Sequence, residues 1–303
     1  MESTGRQKRP TLADIISNST FIGRFKILEL LGEGATGKVY KIRETSSGKI
    51  FALKLIKNKM VANPSVVMQF RQESDIGYRL NHENIATIYE FGLRPNAYVI
   101  LDYYDGESLS KVISKNGNLS VDRSVNIFEQ ICYGLEHAHQ KGVVHCDIKP
   151  ENILLIKCEK KGECVKIVDF GISELKVRGE FRSVNLEPEK EFFGSPLYAS
   201  PEQIRLLPTD PRSDIYSLGC LMYKTLTGVQ PIDGDDLKTC LVKHLTLVPL
   251  KFAEVNPDLN IDKELENIVQ RCMAKEVENR FQSARDVSRA LRIYRARKSL
   301  GII

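Results

Sequence analysis

The apolar residues of this 303-residue chain change their period part-way along it, and that switch constrains the fold more than any other feature. From Phe25 to Leu55 the short runs FKILELL, KVYKIRE and KIFALKLI alternate apolar and polar residues and are separated by GEGATG and TSSGK. A period of two puts every second side chain on one face of a strand, and glycine-bearing punctuation between such runs marks the turns of an antiparallel meander. Val67, Phe70, Ile76 and Leu80 then predict a helix across residues 66–80, and IATIYEFG and AYVILDYY read as two further strands. After Asp105-Gly106 helical spacing takes over, in Leu109–Ser114 and Val121–Gln140, and later in SDIYSLGCLMYKTLTG, ELENIVQRCMAK and ARDVSRALRIYRAR. Two short strands, NILLI and CVKIVDF, joined by a polar turn, interrupt it. The expected class is α+β: a small β-rich lobe with one main helix, then a larger α-rich lobe.

Composition fits a folded chain that needs no staples. Hydrophobic residues make up 42% and charged residues 27%, ordinary values for a globular protein. The 44 Lys and Arg against 39 Asp and Glu leave a net charge of +5, too slight to indicate a nucleic-acid partner. Seven cysteines contain no CxxC pair and read as reduced thiols, buried as small apolar side chains, rather than as a disulfide framework or a zinc site. No run approaches the roughly 20 apolar residues of a membrane span, and the N-terminal segment has basic residues but no apolar core ahead of a cleavage site. The expectation is a soluble protein of a reducing cytoplasm with no integral membrane segment, delivery into another cell being left open.

Residues 31–39 read LGEGATGKV, with Gly32, Gly34 and Gly37 spaced so that backbone N–H groups can approach phosphate oxygens with no Cβ in the way. A Walker A loop is matched by Gly32, Gly37 and Lys38, but Val39 stands where its magnesium-binding Ser or Thr belongs. That loop and the dinucleotide fingerprint both need a following helix, whereas VYKIRE alternates like a strand. The strand–turn–strand pattern G-x-G-x-x-G-x-V is matched in full. A glycine-rich hairpin with no ligand is the plain alternative for this segment taken alone. On the next strand Lys54 lies among apolar neighbours, where its charge needs an anionic partner that Glu73 on the following helix could supply. Two solvated surface side chains are the alternative there.

Residues 144–155 read VHCDIKPENILL, and KIVDFG follows at 166–171. These resemble, in order and separation, the HRDxKxxN and DFG signatures of eukaryotic-like (Hanks-type) serine/threonine protein kinases. GSPLYASPE at 194–202 is similar to the GTxxYMSPE segment of bacterial members. The resemblance covers about residues 25 to 294. It implies a bilobal fold that uses ATP and Mg2+, with Mn2+ as a substitute, to phosphorylate Ser or Thr hydroxyls of protein substrates. It implies Asp147 as catalytic base, Lys149 on the transferred phosphate, and Asn152 and Asp169 as metal ligands. Lys54 would contact the α and β phosphates and pair with Glu73. Leu31, Val39, Ala52 and Leu154 would enclose the adenine, Asp102 to Tyr104 would bind its edge through backbone groups, and Leu101 would be the gatekeeper. Ser195 would bridge the base and Lys149, with Tyr198 beside it in the substrate segment. Glu202 paired with Arg280, and Asp214 bracing the catalytic loop, would support the fold. The implied limits are an extension at 1–24, a small lobe at 25–101, a hinge at 102–106, a large lobe at 107–294 and a tail at 295–303.

Three residues depart from the family pattern or tune it. Cys146 replaces the arginine that commonly reads a phosphate on the activation loop, which implies activity independent of that modification, the non-RD type. Gly77 stands one turn after Glu73, where a bulky residue often packs on Phe170, and implies a mobile helix. Ile172 after DFG goes with threonine acceptors. Ser173 and Ser183 are hydroxyls open to autophosphorylation. The rival readings are a pseudokinase acting as a nucleotide-binding scaffold and a kinase of small molecules. The oligomeric state is not legible.

Overall fold

The structure is a computed structural model that describes residues 20–34, 37–57, 80–94, 96–159, 162–170 and 195–302. These fall into two compact units, one drawn from Met1–Ser74 and Thr87–Tyr104, the other from Asp75–Ala86 and Asp105–Ile303. The helix expected at 66–80, with Glu73 and Gly77, lies outside the described residues apart from Leu80, as do Ile172, Ser173 and Ser183.

The first unit is an antiparallel sheet of β1 (Thr20–Phe21), β2 (Phe25–Glu33), β3 (Gly37–Glu44), β4 (Ile50–Ile56), β5 (Ile88–Gly92) and β6 (Tyr98–Asp102), in the order β1-β2-β3-β4-β6-β5. Alternation along β3 and β4 sends Tyr40, Ile42, Phe51, Leu53 and Leu55 into a core shared with Phe21, Phe25, Tyr98 and Ile100. Aromatic edges fix this core, with Phe21 and Tyr98 centroids 4.9 Å apart. The sheet starts earlier than expected. Thr20 and Phe21 pair with Lys26 and Phe25, and Phe21 is buried, so the last residues of the supposed loose extension belong to the fold.

The second unit holds a three-stranded sheet, β7 (Gly106–Ser108), β8 (Ile153–Cys158) and β9 (Gly162–Ile167), with helices α1 (Leu109–Asn116), α2 (Val121–Gln140), α3 (Pro201–Ile204), α4 (Pro211–Thr227), α5 (Leu237–Thr246), α6 (Phe252–Val255), α7 (Lys263–Cys272) and α8 (Ala284–Ser299). Asp210 caps α4 by accepting the Arg212 N–H at 2.8 Å, and Gly228, at φ 81°, ends it by donating to Lys224 O. Between those caps α4 is buried on nearly every face, packed by α2, α7 and α8, and so forms the centre of the unit. The helix α5 is not legible in the sequence because only Cys240 and His244 turn inward, while Leu237 and Val242 are exposed and blur the apolar stripe. The last helix crosses the expected boundary at 294 and runs to Ser299, tied down by Arg295–Glu129 at 3.2 Å and Arg297–Glu264 at 2.9 Å.

The expectation of seven reduced thiols is corrected. Cys158 and Cys164 form a disulfide with Cα atoms 5.9 Å apart, and the other five cysteines are buried thiols outside any disulfide. The hairpin of β8 and β9 sets Cys158 opposite Gly162 and Cys164 opposite Ile156, so the two sulfurs meet diagonally across it. Sequence spacing carries no such register. No helix among the described residues is long and apolar enough to cross a membrane.

Candidate active site

The loop after α2 is held by its backbone. Asp214, in the first turn of α4 and fully buried, accepts His145 N–H on Oδ2 and Cys146 N–H on Oδ1, both at 2.8 Å. His139 in the last turn of α2 adds a ring nitrogen 2.8 Å from the same Oδ2. From the other side Gln203 Nε2 donates to Cys146 O at 2.9 Å. These bonds hold Cys146 at φ 61°, a left-handed conformation that costs a non-glycine residue roughly 1–2 kcal/mol.

The side chains beyond that turn converge. Lys149 Nζ lies 2.8 Å from Asp147 Oδ2 and donates to Ser195 Oγ at 2.7 Å, so one ammonium joins a carboxylate and a hydroxyl 46 residues along the chain. Asn152 Nδ2 donates to Asp147 O at 2.8 Å and to Asp147 Oδ2 at 3.3 Å. His145 accepts the Asp147 N–H on Nδ1, which leaves Nε2–H to donate to Val168 O at 2.9 Å. Val168 N–H donates to Asn152 O at 2.9 Å, and Asp169 follows at φ 67°. Phe170 packs its ring against His145 at 4.5 Å. Asp147, Lys149, Asn152, Ser195 and the strand leading to Asp169 are thus one bonded cluster.

With Asn152 Nδ2 turned to Asp147, its Oδ1 and the Asp169 carboxylate are hard oxygen donors of the kind Mg2+ takes. No group of three or more His, Cys, Asp or Glu among the described residues could hold a metal by itself. An amide oxygen and a carboxylate fit a cation that takes its remaining ligands from phosphates and water.

In the first unit Lys54 sits on the central strand β4, buried, opposite Val39 and Val99. Gly34 N–H donates to Gly37 O at 2.9 Å across the turn between β2 and β3, and Ala35 and Thr36 lie outside the described residues. A Cβ on Gly37 would stand 2.0 Å from Leu55 O, whereas Gly32 and Gly34 face open space. Gly37 therefore has a packing requirement of its own, against β4, beside any approach to phosphate. Ala52 pairs with Leu101 on β6, and Leu31 is exposed at the end of β2. Asp102 ends β6, its N–H donating to Thr87 O at 3.0 Å and its carboxylate accepting from Lys49 Nζ at 2.9 Å. Tyr104 lies in the following connection and Leu154 on β8 of the other unit.

Below the cluster, Arg280 is fully buried and uses all five of its donors. Nη1 and Nη2 reach Glu202 Oε1 and Oε2 at 2.8 and 2.9 Å, and the remaining donors go to the carbonyls of Ala274, Arg212 and Lys275. Burial alone would raise Glu202, but the Arg280 hydrogen bonds and charge, with Ser213 Oγ at 2.6 Å, hold its carboxyl below the usual range. Tyr198 is buried, its OH accepting from Gln230 Nε2 at 2.9 Å and its carbonyl from Ser217 Oγ at 2.7 Å.

His139, Gln203 and Ser217 hold this site together and escaped the sequence reading. Each bonds a residue far along the chain, and only Gln203, directly after the SPE run, stood where a signal could have marked it.

The protein kinase domain family model matches residues 25–290, and the chain belongs to that family. Among its relatives are serine/threonine-protein kinase pkn3 of Myxococcus xanthus, 32% identical over 88% of this chain and 49% of the relative, and a probable serine/threonine-protein kinase of Clostridium acetobutylicum, 33% identical over 87% of this chain and 39% of the relative. This chain therefore spans about two fifths to half the length of these relatives. The Mycobacterium tuberculosis PknI kinase domain shares the fold, with a TM-score of 0.71 over 90% of this chain and 97% of that one at 23% identity.

Proposed function

We propose that this chain transfers the γ-phosphate of ATP to Ser or Thr hydroxyls of proteins, itself included, and that it does so without the activation-loop switch that the arginine replaced by Cys146 would serve. The observation that carries the reading is the Lys149 ammonium bridging Asp147 Oδ2 and Ser195 Oγ. A substrate hydroxyl placed at Asp147 gives its proton to the carboxylate as its oxygen forms the new P–O bond. The bond from the γ-phosphorus to the bridging oxygen breaks, and ADP leaves. Lys149 donates to the oxygens of the phosphoryl group in transit, and its bonds to Asp147 and Ser195 hold it in place beforehand. Asn152 and Asp169 are the residues that would hold Mg2+, or Mn2+ in its place, and the ion would supply positive charge to the phosphates.

In this reading Leu31, Val39, Ala52 and Leu154 enclose the adenine, the Asp102 carbonyl and Tyr104 backbone meet its edge, and Lys54, paired with Glu73, neutralises the α and β phosphates. Ser195, Tyr198 and the residues around them seat the acceptor peptide. Threonine is the favoured acceptor, after Ile172. The cytoplasm, where ATP is abundant, is the proposed place of action.

The test is incorporation from γ-labelled ATP into the protein and a generic protein mixture, comparing wild type with Asp147→Asn. Label on Ser and Thr in wild type that vanishes in the variant supports the proposal, and equal label refutes it. Phosphatase treatment beforehand is expected to leave the rate on the added substrates unchanged. Loss of all activity until the loop is modified again would remove the non-RD part alone.

A further inference from the structure

The second unit carries an open pocket of about 600 Å3 that includes none of the site residues above, walled by the last turns of α2 and by α8. Arg285, Arg289 and Arg292 line it from α8, at positions i, i+4 and i+7, which share one face of a helix. Arg285 is neutralised: its Nη2 lies 3.3 Å from Glu136 Oε1, and its backbone N–H donates to Glu136 Oε2 at 3.1 Å. Arg289 and Arg292 have no carboxylate within ion-pairing distance among the described residues. Elsewhere on the C-terminal half of α8 the cations are paired, Arg295 with Glu129, Arg297 with Glu264 and Lys298 with Asp122. The two arginines of this helix without an ion pair among the described residues thus both line this pocket.

The facing wall is flat and aromatic. His82 and His137 stack with centroids 5.1 Å apart and planes 31° from parallel, and Tyr133 stands beside them. His137 Nε2 is buried without a hydrogen-bond partner among the described residues. Two guanidinium forks suit the oxygens of a phosphate, and stacked rings suit a planar body. The volume lies within the roughly 300–1,000 Å3 of small-molecule pockets.

We propose that this pocket binds a phosphate-bearing small molecule, its phosphate held by Arg289 and Arg292 and its body laid against His82 and His137. The proposal does not depend on phosphoryl transfer and stands or falls separately from it. The experiment is calorimetric titration of the full chain with pyrophosphate, then with AMP, in metal-free buffer at constant ionic strength. Wild type is compared with the double variant Arg289→Gln/Arg292→Gln and with Arg297→Gln, which alters the same helix outside the pocket. Saturable binding in wild type and Arg297→Gln that weakens about tenfold or more in the double variant is the expected result. Absence of saturable binding of either probe, or equal affinity in the double variant, overturns the proposal, the latter by assigning the bound probe to another site. Both arginines are exposed, so thermal melting of the double variant is expected to match wild type and separates a lost site from a lost fold.

Discussion

The Asp214 carboxylate takes the backbone N–H of Cys146 at 2.8 Å and thereby holds a non-glycine residue at φ 61°. The side chain at 146 is not what keeps this turn. Its thiol lies 3.7 Å from Thr209 Oγ1, whereas three of the loop's backbone groups are claimed by Asp214 and Gln203. That is the physical reason a cysteine can stand at this position with the neighbouring Asp147 still in the bonded cluster.

Asp214→Asn tests that relationship. The amide has one acceptor oxygen where the carboxylate offers two, and it turns an NH2 group toward N–H donors. A loss of about 3 kcal/mol in urea unfolding is expected. Where the variant is still folded, phosphoryl transfer should fall by about 100-fold, because the loop carrying Asp147 is no longer held. Folded variant with an unchanged rate would show that Asp214 supports the fold and not the loop.

The Glu202–Arg280 pair gives a prediction in acid. Arg280→Met leaves a buried carboxylate alone and should cost about 3–5 kcal/mol. Glu202 has its folded pKa lowered, so its contribution is fully present above about pH 5 and is lost as pH falls through that lowered value. The stability gap between wild type and Glu202→Gln, followed by denaturant unfolding, should therefore be constant near neutrality and shrink below about pH 4.5. A gap that does not change with pH would mean that folding leaves the Glu202 pKa at its unfolded value, and a gap that grows in acid would mean that Glu202 is protonated in the fold.

His244 acts in a higher window. Burial, with the Lys275 charge beyond the Tyr216 hydroxyl, pushes it down to about 3, and Tyr216 OH meets its Nδ1 at 2.9 Å. The unfolded chain takes up a proton near pH 6.5 that the folded chain refuses until about 3, so stability is lost as pH falls across that interval, by up to about 1.4 kcal/mol per unit. Replacing His244 by Gln should flatten the stability profile between about pH 6 and 4. An identical slope in the variant rules out this source.

Thiol counting tests the disulfide. Denatured, unreduced protein should show five reactive thiols, and reduced protein seven. Because the loop between Cys158 and Cys164 is short, reduction should cost at most about 2 kcal/mol. Seven thiols without reductant would restore the reading of the cysteines as uniformly reduced.

Local pattern made most of the architecture legible. Val121–Gln140 is a helix over the same residues that the apolar spacing marks, and the glycine-punctuated runs from Phe25 are the strands of the first sheet. What failed did so where burial is decided by distant partners. The helix α5 shows two exposed aliphatic residues to solvent, and Thr20–Phe21 joins the sheet through a register that no composition reports. Gly37 looked like a phosphate-loop glycine and is also required by the approach of Leu55 O.

The sequence by itself determined the α+β class, the order of most strands and helices, and the residue types needed for phosphoryl chemistry, because period and short motifs are properties of neighbours along the chain. Only the tertiary structure decided which of those residues meet. Lys149 reaches Ser195 across 46 positions, Arg280 reaches Glu202 across 78, and Cys146 is held by Asp214 across 68. The last of these exists because α4, buried between its caps, fixes Asp214 beneath the loop, a placement set by packing in three dimensions and written in no single stretch of the chain.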